Sequence, residues 1–223
     1  MEFIEYPDRD MLMLSLAGKL SSQLGAALRR QDTVSLSVPG GTTPGPVFDT
    51  LSGVDLDWDR VHVVLNDERW VAADHPRSNT ALVRARFLQN HAAKAHLIPL
   101  HADTPRPEDA LDTLAEGLAP HLPLSVVLLG MGADMHTASL FPGADNLEAA
   151  LASDAPPLMA MRAPGASEPR ITLTAPVLRE ALNLHILITG PEKRAALERA
   201  RKLPPSEAPV AAILSDATVH WAE

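Results

Sequence analysis

Hydrophobic and polar positions alternate along this chain in two rhythms. Leu12, Leu16, Leu20, Leu24 and Leu28 recur near the 3.6-residue period and predict an amphipathic helix over residues 8–31. Residues 33–38, Thr-Val-Ser-Leu-Ser-Val, alternate with a period of two and predict a strand. Pro39-Gly40-Gly41 stops it. Thr43 as N-cap and Pro44 at the first helical position then open a helix reaching about residue 51. Residues 61–65 are mostly apolar, as in a strand covered on both faces, and residues 66–70 read as a loop. Ser78 caps a helix to about residue 90, a short strand covers 96–99, and Pro107 opens a helix through Leu118. Residues 124–129 form the strongest central strand and run straight into Gly130-Met131-Gly132. A strand at 157–162, a helix at 174–182, a strand at 184–188, a helix at 191–202, a short helix after Pro209 and a strand near Val219 complete the pattern. Strands alternating with helices predict an α/β fold, an open and mainly parallel Rossmann-like sheet with helices on both faces. The Pro-rich stretches at 104–107, 155–157 and 203–209 are too short for linkers, so residues 1–223 are expected to form a single domain.

Composition narrows the function classes. With 223 residues and 46% apolar content the chain can bury a substantial core. It has no cysteine, which excludes disulfides, thiolate metal sites and cysteine nucleophiles. Nineteen Lys and Arg against 28 Asp and Glu leave a net charge of −9, contrary to the basic surface that a general nucleic-acid binder needs. No apolar run approaches the roughly 18 residues of a membrane span. The first residues, Met1-Glu2-Phe3-Ile4-Glu5, lack a cationic region followed by an apolar block, so no signal peptide is expected. The cytoplasm is the expected compartment and a monomer the default assembly.

In a sheet of this kind ligands bind beyond the carboxyl ends of the strands. Four such ends carry unusual residues: Gly40-Gly41-Thr42-Thr43-Pro44, Asn66-Asp67-Glu68-Arg69, the segment from Gly130 to His136, and Gly190-Pro191-Glu192-Lys193. The first combines glycines, hydroxyls and a helix start, which suits an anion site but equally an ordinary tight turn. His136 follows the best central strand, where an imidazole could move protons near neutral pH, with Asp134 two residues away to orient it. It could also simply cap a helix. Arg69 either binds an anion or pairs with its acidic neighbours. Lys193, in a first helical turn where its charge is disfavoured, either meets a ligand or is solvated. Arg170 stands before the apolar run 171–173. His62, His96 and His185 fall within strand patterns and read as core or edge residues. No two histidines share zinc-ligand spacing on one helix, so no metal site is expected.

Together these segments resemble the 6-phosphogluconolactonase family. The resemblance is carried by Gly40-Gly41-Thr42-Thr43-Pro44, Asn66-Asp67-Glu68-Arg69, Ser78-Asn79, Leu129-Gly130-Met131-Gly132 with Asp134, His136-Thr137-Ala138-Ser139-Leu140-Phe141-Pro142-Gly143, and Arg170-Ile171-Thr172-Leu173-Thr174, in the family's order across nearly the whole chain. It implies a cofactor-free hydrolase that opens 6-phosphogluconolactone, a small sugar-phosphate lactone, in the oxidative pentose phosphate pathway. His136 would activate water with Asp134 beside it. Gly40, Gly41, Thr42, Thr43, Asp67, Arg69, Gly132, Arg170 and Lys193 would bind substrate. Backbone N–H groups of residues 132–135, or Arg69, would face the oxyanion. In the related aminosugar-phosphate deaminases a glutamate stands five residues after the catalytic histidine. Here that residue is Phe141, which disfavours deamination; a non-catalytic sugar-phosphate-binding module is the other alternative. One departure stands out: the family's glycine between Asp and His is Met135, which either strains the loop, relaxes it, or fills space against the substrate.

Overall fold

The computed structural model describes residues 1–223. Ten strands and seven α-helices follow one another as β1 (Glu2–Glu5), α1 (Arg9–Leu28), β2 (Val34–Val38), α2 (Gly45–Ser52), β3 (Val61–Leu65), β4 (Asp67–Arg69), α3 (Asn79–Arg86), β5 (His96–Ile98), α4 (Leu111–Leu118), β6 (Val126–Gly130), α5 (Leu147–Leu151), β7 (Leu158–Met161), β8 (Arg170–Leu173), α6 (Ala175–Arg179), β9 (Leu184–Thr189), α7 (Gly190–Ala200) and β10 (Thr218–Ala222). Seven strands form one sheet in the order β1-β10-β9-β6-β2-β3-β5, and every pairing in it is parallel. The expected open α/β sheet is therefore present. From β2 the chain moves through β3 to β5, then returns to the other side of β2 with β6 and continues to β9 and β10. The direction reverses between β2 and β6, and a crevice opens at such a switch point.

Burial explains the strand compositions. All five residues of β2 are buried, including Ser35 and Ser37. Their hydroxyls are satisfied: Ser35 Oγ donates to His121 O (3.0 Å) and Ser37 Oγ to Asn66 Oδ1 (2.6 Å). Asn66, fully buried at the end of β3, also donates through Nδ2 to Leu128 O (2.8 Å) in β6. It thus ties the carboxyl ends of three central strands together. Asp8 caps α1 by accepting from Met11 N–H (2.7 Å), and Ser78 caps α3 by accepting from Ala81 N–H (3.2 Å).

Several expectations are corrected. Residues 66–70 are not a loop. Asp67–Arg69 form β4, the edge of a separate antiparallel sheet ordered β4-β8-β7. Thr43 does not cap α2; a Thr42–Gly45 turn (3.2 Å) moves the start, so Pro44 sits at the cap position without a side-chain bond. The helix from Pro107 begins as a 3₁₀ turn, Pro107–Ala110, before α4. The segment after Pro209 is likewise 3₁₀, over Pro209–Ala212.

Candidate active site

Why the chain enters the small sheet at β4 is written in Glu68. Its side chain is fully buried, and both oxygens are saturated. Oε1 accepts from the N–H groups of Arg69 and Asn79 (both 2.8 Å); Oε2 accepts from Thr80 N–H (2.7 Å) and Ser78 Oγ (3.0 Å). A carboxylate there satisfies orphan amides at the start of α3 and meets the positive end of its dipole. This clamp places Asp67 and Arg69, on either side of Glu68, along the crevice wall. Glu68→Gln puts an NH₂ among four donors and is expected to cost about 2–4 kcal/mol of stability, read from urea unfolding.

The crevice is a cleft of about 230 Å³ at the carboxyl ends of β2, β6 and β9. Gly40, Gly41, Thr43, Asp67, Arg69, Gly132, His136, Arg170 and Lys193 all line it, so nearly all the residues singled out from the sequence converge. Thr42 and Asp134 do not: Thr42 is exposed and outside the wall, and Asp134 reaches the site through its bond to His136. Asn79 and Ala138 line the cleft and were missed as site residues. Asn79 could have been suspected, since it stands in the Ser78-Asn79 pair that carries part of the family resemblance.

At one end of the cleft the N–H groups of residues 40–43 donate to no protein acceptor. They lie beside the start of α2, a ready anion receptor. Cations stand around them. Arg69 and Arg170 face each other in register across β4 and β8. Arg69 donates to Arg77 O (2.7 Å), and Arg170 stands 3.7 Å from the Asp67 carboxylate. Yet the Nε atoms of both arginines are buried without a partner. Burial lowers the Arg170 pKa, which Asp67 partly offsets. Lys193, in the first turn of α7, donates to Met131 O; burial lowers its pKa too, against the pull of Asp134 and Glu192. The Asp67 carboxylate, in the cleft wall, accepts from Ser139 Oγ (2.5 Å) at Oδ2 and more distantly from Asn79 Nδ2 (3.4 Å) at Oδ1, besides facing Arg170.

At the other end stands His136. Its Nδ1 lies 2.5 Å from Asp134 Oδ1, which also accepts the His136 backbone N–H (3.2 Å). Burial raises the Asp134 pKa, but the bonds from His136 outweigh it and the net shift is downward. An ionised carboxylate only accepts, so the Nδ1 proton points at Asp134, and in the neutral ring the lone pair is then on Nε2. Nε2 makes no hydrogen bond in the protein, and the ring lines the cleft. The turn beneath it is tight: Gly132 N–H donates to His136 O (2.9 Å) and Met135 N–H to Gly132 O (3.0 Å). Both amides are thereby spent, which removes them from the candidate oxyanion donors; of the remaining candidates, Arg69 lines the cleft and Ala133 and Asp134 do not. Gly132 supplies room instead, because a Cβ there would fall 2.1 Å from His136 Nδ1 and 2.2 Å from Asp134 Oδ1. Gly132→Ala must displace the pair. The expected result is a loss of about 10²-fold in kcat with an intact fold, checked by steady-state kinetics beside circular dichroism.

Met135 settles its alternatives by geometry. It adopts φ +68°, the left-handed conformation a glycine takes freely, and its carbonyl accepts from Val210 N–H (3.1 Å). The strain is roughly 1 kcal/mol. The side chain packs against the core and is not part of the cleft wall, so it does not fill space against a substrate.

An anion receptor and an oriented proton acceptor facing one crevice at the switch point of a parallel sheet define an α/β protein built to act on a small anionic molecule. Similarity to known proteins narrows the class. Residues 7–221 match the family described as glucosamine-6-phosphate isomerases/6-phosphogluconolactonase, and the chain belongs to that family. A 6-phosphogluconolactonase of Mesorhizobium japonicum is 42% identical over 225 aligned residues, covering 97% of this chain and 93% of its own. One from Rhizobium meliloti is 40% identical, covering 93% of each. The crystal structure of a 6-phosphogluconolactonase from Shewanella baltica superimposes with a TM-score of 0.96 at 34% identity, over 100% of this chain and 98% of that one.

Proposed function

We infer that the cleft hydrolyses 6-phosphogluconolactone to 6-phosphogluconate, with His136 as general base. The observation that carries the reading is the bond between Nδ1 and Asp134, which leaves a basic Nε2 open to a cleft lined by Arg69, Arg170 and Lys193. A δ-lactone is an activated ester, so water suffices as nucleophile. Nε2 takes a proton from water as its oxygen attacks C1. The carbonyl becomes an oxyanion, for which Arg69 in the cleft wall is the available donor. When the C1–O bond to the ring oxygen breaks, the imidazolium returns its proton to that oxygen. The phosphate rests on the amides of residues 40–43 with Lys193, Arg69 and Arg170 as counter-charges. Fixing that remote group orients C1 against the water, which is a major source of rate. These local cations also offset the repulsion that a net charge of −9 exerts on a dianion. All the groups come from one chain and none requires a cofactor, consistent with a monomeric enzyme, and the substrate's place in central sugar metabolism fits a cytoplasmic one.

The test is alkali uptake on fresh lactone in a pH-stat, corrected for spontaneous hydrolysis, with glucosamine 6-phosphate assayed in parallel for ammonia. Acceleration of the first and no ammonia from the second is expected. Ammonia release would favour the deaminase reading. Tight binding of 6-phosphogluconate without acceleration would favour a binding module.

A further inference from the structure

A hydrogen bond at one ring atom leaves an imidazole free to rock about that contact. In this protein something else holds the plane of the His136 ring. Phe141 stacks on it, with ring centroids 4.1 Å apart and planes within 23°. The approach is local in origin. Leu140 N–H donates to Thr137 O (2.9 Å), Ala138 between them takes φ +48°, and Leu140 is fully buried as the anchor. The chain therefore doubles back and lays residue 141 over residue 136. Phe141 is partly buried against the core and is not in the cleft wall, so it supports the imidazole from behind. On Phe141 lies the Arg170 guanidinium, its Cζ 5.1 Å from the ring centroid. Arg170 is steadied by Asp67, and Asp67 by Ser139 and Asn79.

We propose that Phe141 is a positioning residue for His136, fixing the plane in which Nε2 meets water and giving the protonated ring an aromatic face. The inference rests on the reading of His136 as base. Its physical content is differential. A phenyl face attracts a cation more than a neutral ring, so the stack strengthens as the imidazole takes the proton. An interaction that grows along the reaction raises kcat rather than tightening substrate binding. Phe141 touches both the imidazole and the Arg170 guanidinium. The other charged groups around the ring are Asp134 in its own turn, Asp67 and Arg69 on β4, Arg170 on β8 and Lys193 on α7, and all survive a change at Phe141.

Phe141→Leu keeps an apolar side chain and removes the π face. The expected result is a drop of about tenfold in kcat with KM within threefold. The acid limb of kcat/KM should move down by about half a pH unit. Phe141→Tyr should restore most of kcat and the position of that limb. A kcat within twofold of wild type with an unmoved acid limb overturns the proposal, and so does a change confined to KM. Should the leucine variant misfold, the wild-type enzyme still decides. Its His136 ring protons, assigned by their loss in His136→Asn, should resonate upfield of free imidazole through the Phe141 ring current, and an undisplaced signal overturns the stack. Full turnover in His136→Asn would instead defeat the underlying reading, whatever the Phe141 variants do.

Discussion

Replacing His136 by asparagine should lower kcat on the lactone by about 10²- to 10⁴-fold while 6-phosphogluconate binds within a few fold of wild type. The separation of the two effects follows from where the groups sit. The proton acceptor belongs to the turn after β6, where Nδ1 is held by Asp134. The anion receptor belongs to the loop after β2, to β4, β8 and α7. Asparagine can still face Asp134 but has no basic nitrogen. The cations that line the cleft, Arg69, Arg170 and Lys193, are unchanged by the substitution, so their attraction for the dianion is kept. In free energy the loss is roughly 3–5 kcal/mol of barrier. Pre-steady-state and pH-stat rates together with calorimetric product binding measure both halves, and undiminished turnover removes His136 from the chemistry.

The site was more legible in the sequence than its scaffold. Glycines, hydroxyls and charged residues at strand ends have few structural reasons to be there, and four such segments in order point to one crevice. The elements that hold them were harder to read for a physical reason. Strand β4 is Asp-Glu-Arg, with no apolar alternation at all, because its side chains serve the α3 terminus and the cleft instead of a core face. Nothing in that composition marks Glu68 as the fully buried clamp that it is. Strand β1, Glu-Phe-Ile-Glu, is four residues long and lies at the sheet edge beside β10, too short for a period to declare itself. Helix α5 is five residues long and escaped for the same reason. The stacking of Phe141 on His136 has a signal of another kind: Phe141 belongs to the run that carries the family resemblance and stands where the deaminases have an acid, and only the turn through Ala138 brings it onto the imidazole. Met135 is the converse case. The positive φ that the family's glycine suggested is present, and the methionine tolerates it.

A second large effect is expected far from the cleft, in acid. His185 on β9 and His220 on β10 are buried side by side and linked into one chain of hydrogen bonds. Gln23 Oε1 lies 2.8 Å from His185 Nε2, His185 Nδ1 lies 3.0 Å from His220 Nε2, and His220 Nδ1 lies 2.9 Å from the Tyr6 hydroxyl. One arrangement of protons satisfies every link: Tyr6 donates to His220, His220 to His185, and His185 to the Gln23 carbonyl. In it both imidazoles are neutral. A proton added to His185 Nδ1 would meet the His220 Nε2–H of that arrangement, and charging either ring places a cation in a buried chain. Burial, with the neighbouring Lys19 charge in support, lowers His185 to about 4. Burial, His185 and Lys19 lower His220 to about 3. An unfolded histidine titrates near 6.5. Above that pH both states are neutral and the pair contributes no pH dependence. Between about 6.5 and 4 the unfolded chain holds two protons that the native state refuses, so stability falls as pH falls, by about 2.7 kcal/mol per pH unit for the two groups. At pH 5 the loss reaches roughly 4 kcal/mol, a large part of the stability of an ordinary domain. Urea midpoints measured from pH 8 to pH 5 give the slope directly. His220→Asn leaves one titrating imidazole and should reduce the histidine part of the slope by about 1.4 kcal/mol per unit, whatever it costs at pH 8. Carboxylates contribute equally to both proteins and cancel in the comparison. Equal slopes in wild type and variant would mean that His220 is free to charge in the native state, and the neutral chain from Tyr6 to Gln23 would have to be abandoned.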